Sequence, residues 1–177
     1  LRICQQKLKR NKVRRMRLVA TEACRRAANA QDFIKRVHQE TGLRLDIIAP
    51  EEEARLAVLS CAPLVSRKTE NLLVVDIGGG STELVWLDLS QIRKGDRPQA
   101  IMRLREGLKR GDAPNTEARV VDWISVPLGV ATLREQFSDV EDDAARFALM
   151  SWFFEENLTA FSPYHATAPT ESFQLVG

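Results

Sequence analysis

Cysteine and histidine are scarce in this sequence: there are three of the first, Cys4, Cys24 and Cys61, and two of the second. The cysteines are odd in number, far apart and never in a C-x-x-C pair, which argues against a disulfide framework and against the usual zinc-ligand spacing. Free, buried thiols are expected. No apolar run approaches the length of a membrane span, and no leader with a basic start and a small-residue cleavage site is present, so a cytoplasmic protein with no membrane partner is expected. An initiator methionine is missing too, and the chain stops at "FQLVG", an apolar run that reads as a strand cut short. A fragment of a longer protein is expected. What is there has the composition of an ordinary globular protein, and 177 residues suffice for one domain or two small ones.

The near-neutral total conceals an asymmetry. Residues 1–48 carry 13 Lys and Arg against 4 Asp and Glu, a surplus of nine positive charges, whereas the remainder carries 13 against 20. Clustered cations attract phosphates at long range, so a polyanionic partner is expected. The densest run, "KLKRNKVRRMR" from Lys7 to Arg17, has no interleaved aromatics on which bases could stack. A dedicated nucleic-acid surface is therefore not expected, and a solvated helix end and loop is the simpler reading.

Element signals alternate along the chain. "RMRLVAT" reads as a strand; "NAQDFIKRVHQETG" reads as a helix capped at Asn29, with Phe33, Ile34 and Val37 on one face and a stop at Gly42. "LRLDIIA" is strand-like again, and "PEEEARLAVLSCA" opens with Pro50 and three acids, the chemistry of a helix start. This order implies an α/β layer arrangement. A polar break at Ser66–Glu70 suggests parts of two domains, residues 1–68 and 69–177. Residues 90–119 read as a long, polar, mobile connection with one short helix around 101–109. Beyond it come a strand, a Pro-Leu-Gly turn and a helix. A last helix places Ala145, Leu149, Trp152 and Phe153 at helical spacing and is expected to pack them in the core.

Chemistry concentrates in "LLVVDIGGGSTELVWLDL", residues 72–89. Glycines let main-chain N–H groups approach an anion closely, so a Gly-rich turn after a strand can cradle phosphate. A Walker loop would need Gly-Lys-Ser/Thr before a helix, and a dinucleotide fingerprint would need G-x-G-x-x-G before a helix. Here Gly78, Gly79 and Gly80 are consecutive and lead into a second strand. The expectation is a phosphate-binding β-hairpin in which Ser81 and Thr82 add hydroxyls. Asp76 would repel a phosphate unless a divalent cation stood between them, which points to Mg²⁺, with Glu83 on the returning strand able to reach the same ion. From the residues alone, a Gly-rich turn with a charged residue at its mouth is the alternative.

"VVDIGGGSTELV" closely resembles the second phosphate-binding motif of the exopolyphosphatase and guanosine pentaphosphate phosphohydrolase (Ppx/GppA) family. "ATEACRRAANAQDFI", "EEEARLA" and "SVPLGVATL" resemble three further family segments, in order and in rough spacing. The resemblance implies the ribonuclease-H-like fold of the actin-like ATPase superfamily. Residues 1–68 would be the C-terminal part of its first domain and 69–177 the N-terminal part of its second. It also implies Mg²⁺-dependent release of terminal orthophosphate from inorganic polyphosphate or guanosine pentaphosphate, and it leaves a homodimer of the full-length parent open. Carried over residue by residue, it makes Glu53 the base that activates water, with Glu52 second, and Arg25 a bidentate phosphate ligand. From the residues alone, Glu51, Glu52 and Glu53 could simply complement the helix dipole, and Arg25 could be a surface arginine.

Departures from the family pattern matter as well. No first phosphate loop of the Asp-x-Gly-Ser type is present, so the chain alone is expected to have little or no phosphatase activity. Thr132 stands where many relatives have arginine, and residues 90–119 match nothing in the family pattern. Two other classes share parts of the pattern: an actin-like ATPase or sugar kinase, and a non-catalytic sensor of guanosine alarmones.

Overall fold

Residues 1–49 form the smaller of two units in the computed structural model, which describes residues 1–104, 107–111, 114, 116–165 and 172–177. Its elements are α1 (Arg2–Arg10), β1 (Val19–Ala20), α2 (Glu22–Arg26), α3 (Ala30–Thr41) and β2 (Asp46–Ile47). The two strands pair in parallel, Val19 with Asp46 and Ala20 with Ile47, and are much shorter than their sequence signals. Gly42 ends α3 with φ +69°, a left-handed conformation that costs a residue without Cβ little. Asn29 stands at the other end, but its side chain makes no capping bond. Val37 is buried, whereas Phe33 is 42% exposed. No residue of α1 is buried, so the basic run is solvated as its composition suggests.

Residues 50–177 form the second unit. The polar break at Ser66–Glu70, where the sequence signals a change of domain, lies within it. Its elements are α4 (Pro50–Cys61), β3 (Asn71–Ile77), β4 (Thr82–Asp88), α5 (Arg97–Met102), β5 (Arg119–Val126), α6 (Val130–Gln136), α7 (Asp143–Leu158) and β6 (Phe173–Val176), with short 3₁₀ turns at Ala62–Leu64, Lys94–Asp96 and Ser162–His165. The strands form one sheet in the order β5-β4-β3-β6; β6 is parallel to β3 and the other pairs are antiparallel.

Alternation explains which face is covered, because strand side chains point to opposite sides with period two. Leu72 and Val74 of β3 and Val85 and Leu87 of β4 are buried together with Ala54 and Val58 of α4. Burying each such side chain contributes roughly 1.5–3 kcal/mol. In β5 a bulge opposite Trp86 and Leu87 shifts the phase, so that Val120 joins Trp123 on the α4 side. On the opposite face, Val75, Ile77 and Leu84 line an apolar groove of about 430 Å³ with Leu133 of α6 and Phe154 and Leu158 of α7.

Three expectations are corrected here. Among the described residues of 90–119, a span expected to be mobile, Ile92, Ala100, Ile101, Leu104, Leu108 and Ala118 are buried. They are pinned by Arg97, which is 2% exposed and donates to the carbonyls of Ile92 and Arg67 and to Glu70. The helix of this stretch is α5, earlier than the expected 101–109, and residues 105 and 106 of that span lie outside the described residues. The apolar stripe of α7 does not reach a core: Leu149 is 42% and Trp152 60% exposed, and no residue of the helix is buried. Periodicity shows only that a helix has an apolar side. Finally, the three thiols are free but not buried, Cys4 being exposed and Cys24 and Cys61 half-buried.

The turn at Pro127–Gly129 packs main chain to main chain against the glycines that join β3 to β4. A Cβ built on Gly129 would stand 2.5 Å from the Gly78 carbonyl oxygen and 2.6 Å from atoms of Gly79 and Gly80. No flexible side chain is present to yield. Gly129→Ala is therefore expected to destabilise the chain by about 1–3 kcal/mol in urea titration. Gly95→Ala, whose Cβ would meet nothing within 4 Å, is the control and should stay within about 0.5 kcal/mol of the wild type.

Candidate active site

The hairpin register puts Asp76 directly opposite Glu83, and Ile77 opposite Thr82, leaving residues 78–81 as the turn. By alternation Asp76 shares the face of Leu72 and Val74, and Glu83 that of Val85 and Leu87. Both acids thus lie on the side of the sheet covered by α4, whose first turn carries Glu51, Glu52 and Glu53.

Glu83 is 1% exposed. Its Oε1 accepts from the Ser125 hydroxyl at 2.8 Å, while Oε2 has no hydrogen-bond partner among the described residues. Burial, first of all, pushes this carboxyl above the usual carboxylate range. Hydrogen bonds from Ser81 and Ser125 pull it back, and the negative charges of Glu53 and Asp76 raise it further. A buried carboxylate oxygen without a donor, facing two more acids, has the chemistry of a cation site or a proton site. Among the described residues no three His, Cys, Asp or Glu side chains are grouped closely enough to hold a metal by themselves. Mg²⁺ usually takes one or two carboxylates and completes its shell with water and phosphate, so the pair Asp76 and Glu83 fits it.

The glycine turn is oriented from behind. The Gly78 carbonyl accepts from Val130 N–H at 3.0 Å, and that of Gly79 accepts from Ala131 and Thr132 N–H at 2.8 and 3.3 Å. In a trans peptide the C=O and the following N–H point in opposite directions. Tying these two carbonyls to α6 therefore aims the N–H groups of Gly79 and Gly80 away from it. Among the described residues neither N–H makes a hydrogen bond, and a Cβ on Gly79 would meet nothing within 4 Å. Gly79 borders an open groove of about 830 Å³, lined also by Ala131, Arg134 and Ser138.

The expected site residues are used differently from one another. Thr82 is buried and donates its hydroxyl to the Leu128 carbonyl at 2.7 Å, and Ser81 is buried as well. Glu52 is gripped by Arg55 through two bonds of 2.6 and 2.8 Å, whereas Glu53 is the member of its turn whose charge reaches Glu83. Arg25, in the first unit, is half-buried, pairs with Glu22 at 3.0 Å and donates to the Ile48 carbonyl at 2.8 Å.

Ser125, Gly129 and Thr132 were not singled out from the sequence as parts of the site. Ser125 and Gly129 are the first and last letters of the S-x-P-L-G turn, so their signal was present. Thr132, in the position where relatives carry arginine, accepts from Gly129 N–H at 2.8 Å, half of a capping box that secures the start of α6.

Comparison with known proteins shows the family of the chain. The family model of the Ppx/GppA phosphatase family matches residues 1–163. The crystal structure of the Aquifex aeolicus Ppx/GppA family member is 30% identical, with a TM-score of 0.60 over 99% of this chain and 47% of its own. An exopolyphosphatase from Cytophaga hutchinsonii, 22% identical, shares the fold with a TM-score of 0.66 over 97% of this chain and 46% of its own. Retrograde regulation protein 2 of Saccharomyces cerevisiae is 33% identical over 88 residues, 49% of this chain and 15% of that protein. The chain thus spans about half the length of these solved relatives. Its fold is the α/β, ribonuclease-H-like fold of the actin-like ATPase superfamily. With a family match over residues 1–163, the chain belongs to the Ppx/GppA phosphatase family.

Proposed function

We propose that this chain carries the central part of a cytoplasmic phosphoanhydride hydrolase that releases terminal orthophosphate from inorganic polyphosphate or guanosine pentaphosphate. The observation that carries the reading is the unpartnered Oε2 of buried Glu83, beside Asp76 and Glu53 and one hairpin turn from two free glycine N–H groups. Such a constellation suits a ligand that is anionic and arrives with a cation.

In this proposal the N–H groups of Gly79 and Gly80 hold oxygens of the terminal phosphate. Asp76 and Glu83 would hold Mg²⁺, which supplies charge neutralisation between carboxylates and phosphate oxygens. Glu53 takes a proton from water as the water oxygen bonds to the terminal phosphorus; the bridging P–O bond breaks, and orthophosphate leaves a chain shorter by one. Glu52 is the weaker candidate for that base because Arg55 occupies its carboxylate. The positive surplus of residues 1–48 suits a long polyanion.

The test is phosphate release from polyphosphate, guanosine pentaphosphate and ATP by a protein of family length that contains this chain. Glu53→Gln is expected to lower kcat by at least about 100-fold with little change in KM. Preference for ATP would favour a kinase-like relative, and tight alarmone binding without turnover would favour a sensor.

Gly79→Ala separates cradle from fold. Because its Cβ meets nothing within 4 Å, melting should not change, while a methyl on the open side of the turn should raise KM about 10-fold or more. An unchanged KM would remove the glycine turn from the site.

The acid pair gives a pH-dependent test. Glu83 has a higher pKa folded than unfolded, so the native state binds this proton more tightly, and stability falls as pH rises from the unfolded value through the folded one. Without metal, Glu83→Gln is expected to melt higher than the wild type at pH 8, with the gap closing toward about pH 4. Added Mg²⁺ should raise the wild-type Tm and leave the variant's unchanged. A variant that melts lower at every pH, or gains equally from Mg²⁺, would refute the cation role.

A further inference from the structure

We propose that the strap between β4 and β5 positions the reacting end of α4 through Glu51 and Arg55. The inference rests on the reading of Glu53 as the base, and it assigns its two neighbours in the turn to a different task.

Three consecutive helical residues point in directions about 100° apart, so Glu51, Glu52 and Glu53 cannot share one role. Glu51 Oε1 accepts the Leu108 N–H at 2.9 Å. The contact is possible only because residue 107 is glycine. A Cβ there would stand 2.6 Å from Glu51 Oε1, and its φ of +103° lies in the left-handed region. On the other side, Arg55 grips both oxygens of Glu52 with Nε and one terminal nitrogen, and its second terminal nitrogen donates to the Leu104 carbonyl at 2.8 Å. Both partners of that pair are largely buried, with side-chain exposures of 13% and 25%.

The strap residues that make these bonds are anchored in the core. Leu104 and Leu108 are 6% and 2% exposed and belong to the same cluster as Ala54 and Val58 of α4. Rotation of α4 about its axis, or fraying of its first turn, would break polar ties on two sides and disturb packing between them. Of the three, Glu53 is the one whose negative charge acts on Glu83. Glu51 and Arg55 are therefore positioning residues: they touch neither phosphate nor the attacking water, and act by fixing where the Glu53 carboxylate points.

The experiment uses the family-length protein and measures kcat, KM and the pH–rate profile on polyphosphate, together with amide exchange at Leu108. Glu51→Ala and Arg55→Met are expected to lower kcat by about 10- to 100-fold with KM little changed, since a misaimed base costs turnover and not ground-state binding. The pH–rate profile should keep its shape at reduced height, and Arg55→Lys should restore part of the rate. Leu108 should exchange faster in Glu51→Ala. Gly107→Ala is strained in both backgrounds by its φ of +103°, and should carry a further cost only where Glu51 is present, a non-additivity expected if the two touch as described.

Wild-type kcat in folded Arg55→Met and Glu51→Ala would overturn the proposal, as would strictly additive effects at Gly107 and Glu51. A loss of rate that disappears on cooling would reduce the role to stability and overturn it as well. If Glu53→Gln itself keeps full activity, the reading of the base fails first, and the positioning role falls with it, a result distinguishable from the others because that variant is measured in parallel.

Discussion

Burying a carboxylate on the face of a sheet is unfavourable unless hydrogen bonds, a proton or a cation compensate for lost water, and Glu83 meets that condition only by half. Ser125 serves one oxygen; the other faces two acids and no donor among the described residues. A sequence selected only for stability would place an apolar residue between Val85 and the hairpin turn, continuing the alternation that Leu87 and Val85 begin. Retaining the acid there concedes stability at a point where three elements converge. The arrangement of β3, β4 and the first turn of α4 follows from that concession.

Each neighbouring element limits the cost in its own way. The cross-strand pair Asp76 and Glu83 is fixed by hairpin register, in which a slip of β4 by one residue would turn Glu83 to the opposite, apolar-lined face. The bulge in β5 returns Val120 to the covered side while leaving Ser125 opposite Glu83. Backbone geometry therefore supplies what side-chain pairing does not.

Much of this was legible in the sequence. The hairpin could be read from two apolar runs around "GGGS", α4 from Pro50 and its acids, and the end of α3 from Gly42. What was not legible shares one cause, that apolar residues reporting tertiary contacts need not be periodic. Ile92, Leu104 and Leu108 arrive singly among polar and charged residues, so a strap with buried residues was read as a mobile connection. The reverse error affects α7, where perfect spacing of Leu149 and Trp152 describes a face that stays exposed in this chain. In the site, hydroxyl direction was not legible: Thr82 was read as a phosphate donor, and its hydroxyl donates to the Leu128 carbonyl. Sequence gives a hydroxyl, whereas burial decides whom it serves.

Thr132 shows how a departure from a family pattern can be absorbed. An arginine at this position would supply positive charge beside the phosphate turn. The threonine instead secures Gly129 N–H, and the first N–H groups of α6 close on the carbonyls of Gly78 and Gly79. Those N–H groups would otherwise form the anion-attracting end of a helix. Through the trans peptide their positive character is handed on rather than lost: each carbonyl they bind polarises its own peptide, and the N–H at the far end of that peptide, on Gly79 or Gly80, becomes the stronger donor. The helix acts on the open side of the turn at one remove. This is also why a methyl group at Gly129, remote from any phosphate, bears on the direction of both free N–H groups.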